Sequence, residues 1–218
     1  MTDPGTLGLD LAAAAALVAA WLCLVHTRIA ALLSTYAVQS AAIAVAAGLV
    51  AYLYHAPDIY VLAGMVVVLN VGVLPWYLRR VLRSLGVTRM VNMYASVRTS
   101  ALVGLGLLLL AVGVAGPLAP YAAVPSAGLL PIATAILLIG FFLLISRRKA
   151  IVQVLGLLVM NNGIFLAGIA LTYGTGFVVE LGLAANLLAL AIVSRIFLNR
   201  MKDTFDTVDA DAFRSLEG

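Results

Sequence analysis

Seven apolar blocks, each close to the length of a membrane-crossing helix, follow one another along this chain with short polar or proline-containing breaks between them. They are Leu7–Val25, Ile29–Leu53, Ile59–Leu78, Ala101–Leu118, Leu129–Ile145, Ala150–Leu171 and Phe177–Leu198. A hydrocarbon layer about 30 Å thick needs roughly 20 apolar residues of helix, so each block predicts one crossing. The breaks carry the residues that stop helices. His26-Thr27-Arg28 ends the first block, His55-Ala56-Pro57-Asp58 the second, Pro117, Pro120 and Pro125 divide the fourth from the fifth, and Gly174-Thr175-Gly176 turns the sixth into the seventh. The expected fold is an all-α integral membrane protein of about seven transmembrane helices.

The charges give that count a direction. Thirteen residues are Lys or Arg. Arg28 follows the first block; Arg79, Arg80, Arg83, Arg89 and Arg98 lie between the third and fourth; Arg147, Arg148 and Lys149 lie between the fifth and sixth; Arg195, Arg200, Lys202 and Arg214 end or follow the seventh. With seven crossings all of them fall on one face, and dropping a crossing scatters them over both. The positive-inside rule makes that face cytoplasmic, with the N-terminus outside and the C-terminus inside. The opening MTDPGTLGLD has no basic segment ahead of its apolar run, which argues against a cleaved signal peptide. Trp76 and Tyr77 beside Arg79 suit an interfacial anchor, and Arg79 to Arg98 suits either a basic surface helix or a solvated loop.

Composition excludes most other classes. Apolar residues make up 64% of the chain and charged residues 10%, far from a soluble domain; the mean hydropathy is +1.15. The single cysteine, Cys23, lies in an apolar run and reads as a small buried hydrophobe. His26 and His55 have no companions at metal-ligand spacing, so neither a metal nor any other cofactor is expected. No nucleophile–base set or glycine-rich phosphate loop is present, which leaves no catalytic residue to name. The net charge of +4 has no soluble domain in which to form a nucleic-acid surface.

Polar residues inside the blocks therefore carry the candidate chemistry. Glu180 reads as the one clear intramembrane carboxylate, a group that in hydrocarbon usually faces another helix or a water-filled cavity. Glu180 and Asn186 are six residues apart, about 9 Å along a helix. Asn161 and Asn162 stand near the middle of the preceding antiparallel block, at a depth close to that of Asn186. Glu180, Asn161, Asn162 and Asn186 are thus the proton-relay candidates, although amides do not titrate. Gln39, Ser40 and Asn70 read as interhelical hydrogen-bonding residues, and Gly156, Gly163 and Gly168 as sites of close helix approach. A weak internal echo links two parts of the chain. Ser40 follows Arg28 by twelve residues, as Asn161 follows Lys149, and Asn70 precedes Arg79 by nine, as Asn186 precedes Arg195. Blocks one to three and five to seven are then parallel copies joined by the fourth.

From Ser146 onward the chain reads SRRKAIVQVLGLLVMNNGIFLAGIAL and then GFVVELGLAANLLALAIVSRIFLNRMKDTFDTVDADAFRSLEG. The basic R-R-K run, Gly156, the Asn162-Gly163 pair, the E-L-G of Glu180 to Gly182 and the acidic end at Leu216-Glu217-Gly218 resemble hydrogenase-4 component E. More distantly they resemble the NuoK subunit of complex I and the MrpC subunit of cation/proton antiporters. The likeness is strongest over the last third, and seven crossings fit the whole component E type. It implies residues 1–100 as an N-terminal three-helix unit with a basic cytoplasmic loop and 101–128 as a connecting helix and outer loop. It implies 129–202 as a NuoK/MrpC-like three-helix unit and 203–218 as an acidic cytoplasmic tail. The tail reads either as a docking segment or as a solvated terminus.

The resemblance further implies a bacterial or archaeal cell-membrane protein, non-catalytic itself. It would sit in a complex-I-like proton- or ion-translocating assembly beside antiporter-like membrane subunits and a peripheral hydrogenase-like redox module. The alternative is a subunit of an Mrp-type antiporter without a redox partner. In the resembling proteins, acids are expected near Leu158, at the position of Asn161 and near Asn186. All three positions are uncharged here, while Glu180 matches an expected acid. The expected role is therefore mainly structural, with at most a partial proton relay.

Overall fold

The computed structural model describes residues 4–84, 96–124, 126, 128–172 and 191–192. Every regular element among them is helical: α1 (Pro4–Val25), α2 (Ile29–Leu53), α3 (Pro57–Val66), a π-helical segment (Val67–Val73), α4 (Leu74–Ser84), α5 (Val97–Ala115), a 3-10 segment (Gly116–Tyr121), α6 (Leu129–Ser146) and α7 (Ala150–Thr172). These make six helices long and apolar enough to cross a membrane, with α3, the π segment and α4 joined into one crossing over Pro57–Arg83. The chain is a multi-pass membrane protein, all-helical over the described residues. The seventh block, Phe177–Leu198, lies outside the described residues apart from 191–192.

Two features depart from the sequence reading. Asp10 is a second carboxylate within the blocks, inside the first crossing, Gly5–Val25, so Glu180 is not alone. The third crossing runs on to Arg83, so Arg79–Ser84 extends a transmembrane helix instead of starting a surface helix. The continuation to Arg98 lies outside the described residues over 85–95.

The π segment has a local cause. Pro75 has no N–H to give the carbonyl four residues back, and its ring crowds that carbonyl. The helix widens just upstream, and the Leu74 N–H bonds to Leu69 O. Such a break is tolerated in a bilayer only where neighbouring helices re-satisfy the backbone.

Packing is organised around α7, 67% of whose crossing is buried, whereas only 17% of the crossing that contains α5 is buried. Glycines let α7 meet α6 backbone to backbone. A Cβ on Gly140 would strike Met160 main-chain atoms, one on Gly156 would lie 2.6 Å from Leu144 N, and one on Gly163 would press on Leu137. Small residues give membrane helices this approach where no hydrophobic drive exists between them. Side chains tie α1 to α6 at both ends. Ser126 Oγ donates to Asp10 Oδ1 (2.6 Å), and Arg147 Nη2 donates to Leu24 O (2.7 Å). Arg28 and Arg147 each sit in an isolated backbone bridge beside the starts of α2 and α7. The described basic residues gather at this end of the bundle, where Arg79 Nη2 also reaches Ser34 Oγ of α2 (3.2 Å).

Candidate functional site

Halfway along the bundle, three crossings place amides and hydroxyls in one buried layer. Asn70 stands thirteen residues from either end of its crossing. Ser40 lies eleven residues into α2, and Asn162 twelve into α7. Asn162 is the hub. Its Nδ2 donates to Ser40 Oγ (2.9 Å) and, more weakly, to Gln39 Oε1 (3.4 Å), while its Oδ1 accepts from Asn70 Nδ2 (3.1 Å). All four residues are buried. Asn70 belongs to the π segment, whose wider turn lies opposite α2 and α7; π-helical turns are frequent at functional sites.

The layer is incompletely bonded. Gln39 Nε2 and Asn70 Oδ1 have no hydrogen-bond partner, nor has the hydroxyl of Tyr36, one turn from Ser40 on α2 and fully buried. An unpaired polar group in hydrocarbon costs several kcal/mol. Each of these atoms is therefore a natural place for ordered water. Among the described residues the layer contains no carboxylate, and its amides cannot store a proton. What it can do is order water across three helices.

Of the sequence candidates, the structure brings Asn162 together with Gln39, Ser40 and Asn70. Asn161, its neighbour on α7, is buried and engaged in contacts of its own. Glu180 and Asn186 lie outside the described residues. The pairing also joins the residues of the internal echo, since Gln39 and Ser40 meet Asn162.

Two further polar positions escape the hydropathy pattern. Arg147 is only 1% exposed, and its Nε and Nη1 have no partner. Burial pulls its pKa below the usual arginine value, an effect that the nearby Cys23 partly opposes. At the C-terminal end of α1 its guanidinium satisfies a carbonyl that the helix cannot and meets the negative end of the dipole. At the other end, Asp10 sits by the start of α6 and receives the Ser126 hydroxyl, while Ser126 Oγ accepts the Leu129 N–H (3.2 Å). A hydrogen bond contributes about 0.5–1.5 kcal/mol net, and Ser126 Oγ makes two. Ser126→Ala is therefore expected to lower stability by about 2 kcal/mol, read as a shifted thermal midpoint in detergent, with Thr134→Ala on α6 nearly silent. The sequence signal for Asp10 was plain: an acid three residues inside an apolar block.

Among the described residues no three His, Cys, Asp or Glu side chains come together as a metal site, and Cys23 is buried and unpaired with any other cysteine.

Taken together, the crossings and their buried midplane polar layer define a polytopic α-helical membrane protein of the kind that houses polar groups within the bilayer. No family model matches the chain, and no solved structure matches it. Rv0085, an uncharacterized protein of Mycobacterium tuberculosis, is 30% identical over 152 residues, covering 69% of this chain and 69% of that protein. The chain belongs to the same family as Rv0085.

Proposed function

We propose that this protein is a non-catalytic subunit of the membrane arm of a complex-I-like, ion-translocating assembly of the hydrogenase-4 type. In that reading it spans the membrane seven times, the basic end of the bundle is cytoplasmic, and its partners are antiporter-like membrane subunits and a hydrogenase-like redox module. The observation that carries the reading is the midplane layer of Asn162, Asn70, Gln39 and Ser40 with its unpaired atoms. A purely structural bundle gains little from burying three unpaired polar atoms at the most expensive depth of the bilayer. A subunit that passes protons along ordered water has a use for them. With no titrating acid among its described residues, the layer conducts between groups held elsewhere, and its share in pumping is partial.

The broad exposed face of α5 supports a subunit role as well. Leu102, Leu105, Leu109 and Val112 are each at least half exposed and offer a long apolar surface to a neighbouring subunit. Affinity purification of the tagged protein from its native membrane in a mild detergent, followed by mass spectrometry, tests the proposal. Co-purified antiporter-like and hydrogenase-like subunits are expected. Antiporter-like subunits without a redox module would shift the reading to an Mrp-type antiporter, and a protein recovered only as itself would overturn it.

A further inference from the structure

At the basic end of the bundle, α4 carries Trp76, Arg79, Arg80 and Arg83 on one side while Leu74, Leu78 and Val81 face the core. This division follows from sequence, since residues three and four apart share a helix face. Between that side and α2 opens a groove of about 670 Å³, floored by Gly72 and Pro75 and walled by Trp76 and the three arginines. The wide turn ahead of Pro75 helps to open it. Arg79 is held toward α2 by its bond to Ser34 Oγ (3.2 Å), and the Arg80 guanidinium lies over the Trp76 ring, 5.7 Å from its centroid.

Charge and depth together specify an occupant. Among the described residues the two carboxylates, Asp10 and Asp58, stand near the starts of the first and third crossings, at the opposite end of the bundle. The groove is therefore strongly positive among the described residues. It lies in the last turns of a crossing, at the depth of lipid headgroups. Above it, toward the bilayer centre, Val67, Val68 and Val73 are exposed and apolar. A ligand that fits has an anionic head for the arginines and alkyl chains for the valines. A free phosphate uses only the first half of this surface, and a soluble acidic peptide cannot use the second.

We propose that this groove binds the phosphodiester headgroup of an anionic phospholipid, with its acyl chains laid along the exposed valines. Arg79 and Arg83 contact the phosphate, and Trp76 packs against the glycerol region, the usual level for an interfacial indole. Guanidinium suits the task because its fork of N–H groups matches two phosphate oxygens.

Native mass spectrometry of the full chain, released from detergent containing phosphatidylglycerol or phosphatidylcholine, tests this. Phosphatidylglycerol is expected to remain bound at least about tenfold more than phosphatidylcholine, given the attraction of several basic residues to anionic lipid. R79Q/R83Q is expected to remove that preference, whereas R28Q, which deletes a charge at the same end but outside the groove, keeps it. Equal retention of the two lipids, an unchanged preference in R79Q/R83Q, an equal loss in R28Q, or displacement by millimolar inorganic phosphate would each overturn the proposal. A second readout leaves the arginines intact. The chain has two tryptophans, so in Trp21→Phe protein the emission comes from Trp76. Brominated phosphatidylglycerol is expected to quench it more than brominated phosphatidylcholine, and equal quenching overturns the site.

Discussion

Gly156→Leu is expected to abolish the native bundle. The α6–α7 seam has no room at this position, since a Cβ alone would lie 2.6 Å from Leu144 N and 2.9 Å from Leu144 Cα. Those atoms are backbone and cannot rotate away, so the two helices must separate along their length. Overpacking a well-filled core costs about 1–3 kcal/mol, and a rigid backbone contact puts this substitution at the top of that range or beyond. Separation also moves Asn162, six residues further along α7, away from its partners. The measurement is size-exclusion chromatography with a thermal ramp in detergent, where Gly156→Leu is expected to lose the monodisperse peak. Gly113→Leu is the control, because a side chain added there meets nothing within 4 Å. It is expected to behave as wild type.

On the proposed function, Asn162→Leu is expected to leave the assembly standing but to impair translocation. It removes the hydrogen bonds to Ser40, Gln39 and Asn70 in one step. Interhelical polar contacts in membranes average about 0.6 kcal/mol, so the loss of three costs about 2 kcal/mol, softened by the favourable burial of leucine. That is a visible drop in thermal midpoint, not a failure to fold. The functional loss is larger. An isobutyl group in place of the hub amide breaks any continuous water across the layer, and translocation by the assembled complex in proteoliposomes is expected to fall about tenfold with redox turnover largely kept. Ser40→Ala removes a single bond and is expected to fall between wild type and Asn162→Leu. Unchanged translocation in Asn162→Leu would make the layer a packing device.

Much of the architecture was legible in the chain because the bilayer imposes a strict length and polarity on each crossing. The first six blocks match six helices to within a few residues, and the glycines at 156 and 163 pack as their spacing suggested. Three things were harder to see. The π segment arises from Pro75 acting on the turn before it, an effect that hydropathy averages away, although a Gly72 and Pro75 pair inside an apolar run was its signal. The partner choice of Asn162 was also hidden. Sequence neighbours pointed to the seventh block, but α7 carries Asn162 toward α2 and the third crossing, and only three-dimensional packing decides which face of a central helix meets which neighbour. Arg147 escaped for a related reason. A basic residue between crossings reads as a surface charge, whereas here the chain folds it back under α1 as a cap.

Water at the midplane is the point on which everything about function turns, and Tyr36 reports on it. Its ring is fully buried and its hydroxyl unpaired, beside the layer. Radiolytic hydroxyl-radical footprinting, in which radicals form from water already bound inside the protein, labels such a residue only if water is there. Tyr36 in the membrane-embedded protein is expected to gain oxygen many times faster than Phe165, a buried aromatic on α7 with no polar atom of its own. Labelling of Tyr36 as slow as that of Phe165 would mean a dry layer, and would contradict a water-borne path through this protein.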